Sequence, residues 1–506
     1  MKIKRALISV YDKTNIIELA SFLMQQQIEI LSTGNTYKVL SGAGIKTQEV
    51  SDYTQFPEIL DGRVKTLHPK IHGGILCDRK RHEKEMQNLE IKPIDLLITN
   101  LYPFWKTVNS NSSEKQIIEQ IDIGGVALIR ATAKNFHFTS VISSIQDYET
   151  LKAEMIKNNN QTTLEYRKHL ATKAFALTAQ YDSNIYNWFL SQGKSNELPE
   201  FFTLYGCKAQ GLRYGENPHQ KAAFYSNQFS KYPLEKIHGK ELSYNNIVDI
   251  ESALNIISEF QEPAAVIIKH NNPCGAAVSD SALKAYEKAL SCDEISSFGG
   301  IVAFNREIDL KLAEKLNEIF LEVVIAPSVN NEALKILQKK KNLRVIIHQS
   351  LQQNAKYQIK NVVGGFLVQE NNNHTVKVEE INRVTECTTT KKEKEDLIFA
   401  WKICKHVKSN AIVIAKDGCA IGIGAGQTSR IDSVNIAVKK AGEKCKGAAL
   451  ASDAFFPFPD SIVESAKHGI TAIIQPGGSL KDQDVIAAAN ENKIAMFFTD
   501  VRNFLH

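Results

Sequence analysis

No stretch of this chain approaches the roughly 20 consecutive apolar residues that a membrane-spanning helix needs, so none is expected to span a bilayer. It opens Met-Lys-Ile-Lys-Arg-Ala-Leu-Ile-Ser-Val, an apolar run too short for a secretory signal. Charge of one sign is also scarce. Lys+Arg 61 against Asp+Glu 56 leaves only +5 over 506 residues. That excess shows no basic stripe with interleaved aromatics, which argues against nucleic acid, while it suits small anionic ligands. The eight cysteines (77, 207, 274, 292, 387, 404, 419, 445) contain no Cys-x-x-Cys spacing and read as reduced thiols of a cytoplasmic protein. Pro273-Cys274 is followed by Gly-Ala-Ala, so the second thiolate of a zinc deaminase is missing and no catalytic metal is expected.

What is present is length and alternation. A chain of 506 residues is too long for one core and implies two or more domains. Ala6–Val10 reads as a strand, and Asp12 is placed to cap a helix whose apolar face is Ile16, Leu19, Ala20 and Leu23. Ile28–Leu31 is a second strand running into Ser32-Thr33-Gly34-Asn35-Thr36 and then a helix. Strand, small-residue turn and helix present backbone N–H groups to a phosphate, although many α/β turns look alike. Between Arg63 and His72 lie three cations and two histidines, with Val64, Leu67 and Ile71 tying the loop to a core. Pro69 should disturb any helix aligning His68 with His72, which argues against a metal there.

Ile94–Ile98 is a strand ending at Thr99-Asn100-Leu101-Tyr102, and Ser113 with Gln116 makes a capping box. Ile121-Asp122-Ile123-Gly124-Gly125 enters a helix carrying Arg130 and Lys134. Asp122 and Lys134 are too far apart in sequence to be helix neighbours; they meet only if Asp122 sits at a turn over another element. Thr139–Ser143 adds a strand and Tyr166–Leu190 a closing helix. The alternation predicts an α/β, doubly wound parallel sheet. Polar residues 191–199, broken by Gly and Pro, place a boundary that yields domains 1–195 and 196–506.

In the second domain the central stretch is Lys269-His270-Asn271-Asn272-Pro273-Cys274-Gly275, after the apolar run Ala264–Ile268. Asn-Asn-Pro and Gly read as a turn, and a helix-like run begins at Ser281. Lys269 and His270 then stand where a strand leaves the sheet. A Lys beside a His supplies a cation for an oxyanion and a group that moves protons near neutral pH. Read alone, this stretch fits a solvated lysine beside a hydrogen-bonded histidine better; the rest of the sequence reverses that. Arg213-Tyr214 suits a clamp on phosphate and ring. Glycines crowd Ile421–Arg430 without spelling a nucleotide fingerprint. Ser452–Phe458 is either core or a wall for a flat ligand, and the tail to His506 is too apolar to float freely.

Taken together and in order, DGRVKTLHPKIHGG, IDIGGVALIRATAKN, RYGENPHQ, KHNNPCG, GIGAGQTSR and SDAFFPF closely resemble the bifunctional purine-biosynthesis family. That family joins an IMP cyclohydrolase to an aminoimidazole-carboxamide ribotide (AICAR) formyltransferase. The resemblance implies a methylglyoxal-synthase-like first domain and a second of two cytidine-deaminase-like subdomains without zinc. It also implies a cytoplasmic homodimer with transferase sites at the interface. Its substrates would be AICAR, formyl-AICAR and IMP, with 10-formyltetrahydrofolate as co-substrate and no catalytic metal.

By the same resemblance, the cyclohydrolase nucleotide would meet Asp12, Lys13, Thr33, Gly34, Asn35, Thr36, Arg63, Thr66, Thr99, Asn100 and Ile123. Lys134, with Lys65, Tyr102 and Asp122, would serve ring closure. The transferase ribotide would meet Arg213, Tyr214, Gly299, Glu322, Asn410 and Arg502. Folate would lie near Lys269, Arg430, Ile431, Phe455, Asp460 and Ser479, and His270 would accept the proton of the attacking amine. Glu322 and Asn35 depart from residues that some members carry. A nucleotide-sensing regulator would use the same phosphate turns, but it has no need of Lys269-His270.

Overall fold

In the computed structural model, which describes residues 1–193, 197–226, 234–348 and 356–506, the first apolar runs become five parallel strands. These are β1 (Arg5–Val10), β2 (Glu29–Ser32), β3 (Gln48–Glu49), β4 (Leu96–Asn100) and β5 (Ser140–Ile142), in the order β3-β2-β1-β4-β5. Both faces are covered, so the strands read as continuous apolar runs: Ala6, Leu7, Ile8, Leu96, Leu97 and Ile98 are all fully buried. The covering helices include α1 (Ile16–Gln25), α2 (Gly34–Gly42), α3 (Pro69–Leu76), α4 (Gly124–Lys134), α5 (Tyr148–Lys157) and α6 (Leu164–Gln192). Strand order reverses between β1 and β4, and in open α/β sheets ligands bind in the crevice beyond the C-terminal ends of strands at such a point.

Two local expectations are corrected. Asp12 does not cap α1. Asn15, left-handed at φ 58°, holds that position, and the Asp12 carboxylate accepts from Thr14 instead. Nor does Pro69 break a helix. It opens α3, where its missing N–H is no loss, and His68 caps from outside, its Nδ1 accepting from Lys70 N–H at 3.1 Å.

The chain divides into two units, Met1–Gly206 and Cys207–His506. The boundary read at 195/196 falls among residues 194–196, outside the described residues. In the second unit, β6 (Cys207–Leu212) and β7 (Ala222–Ser226) form a separate hairpin. The main sheet then builds one motif twice. The first copy is β8 (Leu234–His238), α7 (Tyr244–Ile257), β9 (Ala264–Lys269), β10 (Asn272–Val278), α8 (Ala282–Leu290), β11 (Gly300–Phe304), α9 (Leu310–Asn317), β12 (Leu321–Ala326), α10 (Asn331–Leu337) and β13 (Arg344–His348). The hairpin β14 (Tyr357–Val362) and β15 (Gly365–Glu370) intervenes. The second copy is β16 (Asn382–Arg383), α11 (Lys391–Cys404), β17 (Ile412–Lys416), β18 (Cys419–Gly424), α12 (Arg430–Ala441), β19 (Ala449–Ser452), α13 (Asp460–Lys467), β20 (Ala472–Gln475), α14 (Asp482–Glu491) and β21 (Ala495–Phe498).

The twelve-stranded order is a palindrome of the two copies: β16-β21-β20-β19-β17-β18, then β10-β9-β11-β12-β13-β8. β10 and β18 join them, antiparallel, at Ala277 and Cys419. Helices α7 and α11 cover one face of the sheet, and the other six cover the opposite face. The two subdomains expected from sequence are these copies. Among the described residues no helix is long and apolar enough to cross a membrane.

The central turn is a correction. Pro273 and Gly275 are not in the turn. They belong to β10, where a bulge between Pro273 and Gly275 accommodates the missing N–H. The turn is His270-Asn271, both left-handed at φ 50° and 61°, closing a tight hairpin. Gly275 is there for contact. A Cβ on it would stand 2.1 Å from the carbonyl oxygen of Ala289 on α8. Gly422 repeats this in the second copy, 2.1 Å from the Ala437 oxygen on α12. Neither backbone carbonyl can move without shifting its helix off the sheet. Gly422→Ala should therefore destabilise the second unit by about 3 kcal/mol or more. Gly365→Ala, with nothing within 4 Å of its added carbon, should change stability little. Thermal unfolding of both variants checks this.

Candidate functional site

At the crevice of the first unit, the chain leaving β1 is tied to the end of β4 by one amide. Asn100 Oδ1 accepts from Tyr11 and Asp12 N–H at 2.7 and 2.9 Å, and its Nδ2 donates to the Asp12 carbonyl at 2.9 Å. Lys13 Nζ folds back on the Tyr11 carbonyl at 3.1 Å. The small-residue turn after β2 lies alongside. Thr33 shares a hydroxyl bond with Ser9 at 2.9 Å, Thr36 Oγ donates to the Val10 carbonyl at 3.0 Å, and Gly34 takes φ 41° as α2 begins with Asn35 exposed.

Asp122 sits at the turn before α4, its Oδ1 accepting from Gly125 N–H at 2.6 Å. Burial pushes its carboxyl up, opposed by the N–H groups of Gly125 and Tyr102 and by the charge of Lys65. Burial, then the Asp122 charge, raises the Tyr102 phenol. Thr66 Oγ packs 3.2 Å from where a Cβ on Gly124 would lie. Asp122, Tyr102, Lys65 and Thr66 therefore share one place. Thr99 is buried in β4, Ile123 is exposed before α4, and Arg63 is ion-paired to Glu119. Lys134 is not brought to this group. It ends α4, about 15 Å along the helix from Gly124, in a 610 Å³ groove with Arg130, Phe136, Lys168 and Phe175.

In the second unit the predicted residues form two clusters. In the first, Lys269 Nζ donates to the Phe298 carbonyl at 2.8 Å and lies against Gly299, whose φ is 71° and whose N–H reaches the Phe320 carbonyl at 2.7 Å. A side chain at 299 would press on that ammonium. The His270 ring is exposed at the turn. Asn246, in the first turn of α7, donates to Glu322 at 2.8 Å, and Arg344 approaches the same carboxylate at 3.6 Å. Asn245 donates to the Glu216 carbonyl at 3.4 Å, beside Arg213 and Tyr214, whose guanidinium and ring are stacked at 5.5 Å. Cys274 is buried against Ser297, and burial pushes its thiol up to about 11, too high for a thiolate at neutral pH.

The second cluster is a 380 Å³ cavity lined by Asn410, Arg430, Ile431, Phe455, Asp460 and Arg502, with Thr428, Ser429, Phe458 and Phe504. Arg430 is buried beneath it, donating to Asp453, to Ser452 Oγ at 2.8 Å and to Asn410 Oδ1 at 2.6 Å. Asp453 is 0% exposed. Ser479 stands in the loop after β20, outside this lining, its N–H donating to Asp482 at 3.1 Å. Among the described residues, the segments bearing the two clusters are linked where Asn272 Oδ1 accepts from Lys408 N–H at 3.1 Å. Among the described residues no group of three or more His, Cys, Asp or Glu is placed to hold a metal ion.

Sequence reasoning gave no site role to Asp453, Phe504 or Lys408. The aromatic run 452–458 and the apolar tail did signal a wall. Nothing local marks a buried aspartate as the partner of a distant arginine.

A family model described as the AICARFT/IMPCHase bienzyme matches residues 132–440, and one described as an MGS-like domain matches residues 15–127. The chain is 51% identical over 510 residues to the "Bifunctional purine biosynthesis protein PurH" of Thermoanaerobacter sp. (strain X514), covering 99% of this chain and 100% of that one. It is 50% identical over 511 residues, at the same coverage, to proteins of that name from Bacillus cereus (strain B4264) and Bacillus cytotoxicus.

Arg430 and Asp453 form a buried pair, and removing one partner strands the other. Arg430→Ala should cost about 3–5 kcal/mol, so any loss of activity in that variant should accompany a lowered unfolding midpoint. A midpoint equal to the parent's would show that the pair bears no such load.

Proposed function

The chain belongs to the AICARFT/IMPCHase bienzyme family, and from this we infer that it catalyses the last two steps of IMP synthesis. The second unit would transfer the formyl group of 10-formyltetrahydrofolate to the amine of AICAR. The first would close formyl-AICAR to IMP with loss of water. One contact carries the transferase assignment: the Asn272–Lys408 bond, which sets the Lys269-His270 turn beside the segment leading to Asn410 and the aromatic cavity.

The amine of AICAR is conjugated with its ring carboxamide and is a poor nucleophile. It needs a base as it attacks the formyl carbon, and the formyl oxygen needs a cation as it becomes tetrahedral. His270 takes the proton and Lys269 faces the oxyanion. The tetrahedral centre then collapses, releasing the folate nitrogen, to which the proton held by His270 is returned. Arg430 and Asn410 frame the cavity, whose Phe455 and Phe458 suit the flat pterin, while Arg213, Tyr214, Gly299, Glu322 and Arg502 meet the ribotide. His270, Arg213 and Arg502 are exposed on the single chain. Their exposure supports a homodimer in which a second copy completes each transferase site.

Ring closure is intramolecular, so holding the formyl carbon against the carboxamide nitrogen supplies much of its rate. The turn at Thr33–Thr36, with Asp12, Lys13 and Asn100, holds the phosphate and ribose. Asp122, Tyr102 and Lys65 surround the reacting end; Lys134, which stands away from them along α4, is assigned to proton transfer on the family resemblance alone and on no contact in the single chain. The protein works in the cytoplasm.

His270→Ala should lower transferase kcat by about two to four orders of magnitude, with AICAR affinity little changed and cyclohydrolase activity intact. Formyl transfer within a few-fold of the parent would remove His270 as the base. Lys134→Ala should accumulate formyl-AICAR when both substrates are supplied. Normal IMP formation by that variant would take Lys134 out of ring closure.

A further inference from the structure

The two sheet copies carry the same turn device at matched positions, 243 with 390, 249 with 396, 269 with 416 and 275 with 422. Ser243 and Thr390 each open a capping box at the start of the long helix. Six residues into each helix stands an aspartate. Asp249 accepts from Asn271 N–H at 2.7 Å, and Asp396 accepts from Asp417 and Gly418 N–H at 3.0 and 2.7 Å. Both turns run left-handed through two successive residues, 270–271 and 417–418. The second copy has Asp-Gly there, a pair that favours such a turn. The first has His-Asn, and a histidine held at φ 50° is costly unless its surroundings impose it.

We propose that Asp249 is the positioning residue of the formyl-transfer site, holding the His270 turn in its left-handed form through the Asn271 N–H. The proposal rests on the transferase reading above. Ser252 Oγ completes the hold by bonding Asn271 Oδ1. The charged groups facing Asp249 are His270 and Lys269 from the hairpin and Glu322 from β12. Burial pushes the Asp249 carboxyl up, while the Asn271 N–H and then His270 draw it down and Glu322 opposes them. The second copy keeps the aspartate and the turn but has no histidine. Asp396 therefore reports what the device does for folding alone.

Asp249→Asn keeps an oxygen for the Asn271 N–H, so the turn keeps its anchor. Its transferase kcat should stay within a few-fold of the parent's. Asp249→Ala loses the anchor and should drop kcat by about 10- to 100-fold with the KM for AICAR little changed. Asp396→Ala should lower the unfolding midpoint and leave transferase kcat unchanged.

Parent-like kcat in Asp249→Ala, a loss of kcat in Asp249→Asn as large as in Asp249→Ala, or an equal loss of kcat in Asp396→Ala overturns the proposal. If Asp249→Ala does not fold, Ser252→Ala, which loosens the same turn at Asn271, decides it: a lowered kcat with the KM for AICAR unchanged supports the proposal and a parent-like kcat overturns it. A parent chain with no formyl transfer instead overturns the transferase reading, and the proposal with it.

Discussion

The close approach of a strand hairpin to the helix that follows it governs the second unit. At Gly275 and again at Gly422, a backbone carbonyl of the helix occupies the space where a side chain would be. Helix and hairpin therefore lock face to face, and each hairpin can run through the centre of the sheet, packed on both sides. That geometry brings β10 against β18 and makes one sheet of two copies. It also carries the two hairpin turns to opposite ends of the central strands. One of those turns bears Lys269 and His270.

From this frame the chemistry follows by short steps. The turn must be left-handed at two non-glycine residues, which demands outside support, and α7 provides it. The same helix sends Asn246 to Glu322 and Asn245 to the segment bearing Arg213 and Tyr214. A single helix thus orders groups drawn from three distant parts of the chain. The aromatic cavity is ordered differently, by a buried charge pair. Arg430 reaches under the pocket to Asp453 and Asn410, so its floor is electrostatic and its wall aromatic. The first unit uses an uncharged device: one asparagine amide knots the chain leaving β1 to the end of β4 at the reversal of strand order.

Much of this was legible beforehand, for reasons that can be named. The parallel sheet of the first unit announced itself because strands buried on both faces must be apolar throughout, as Ala6–Ile8 and Leu96–Ile98 are. The capping box at Ser113 and Gln116 formed as read, because it depends on residues only three apart. Pro273 misled, because a proline signals a turn only where the chain is free to make one. Here a bulge keeps it in the strand. Asp12 misled because a good capping residue has no hold on a helix that starts beyond its reach.

The sequence by itself determined the family, the presence of Lys269-His270 at the end of a strand, the phosphate-type turn and the lack of any Cys-x-x-Cys spacing. These are local patterns, set by spacing and by the chemistry of adjacent residues. The tertiary structure alone decided how the two copies of the second unit join, β10 against β18. It alone paired Arg430 with Asp453 and set Asp249 under the His270 turn. Each of those facts joins residues tens of positions apart. Burial and close backbone approach select them, and neither leaves a mark in the spacing of neighbours along the chain.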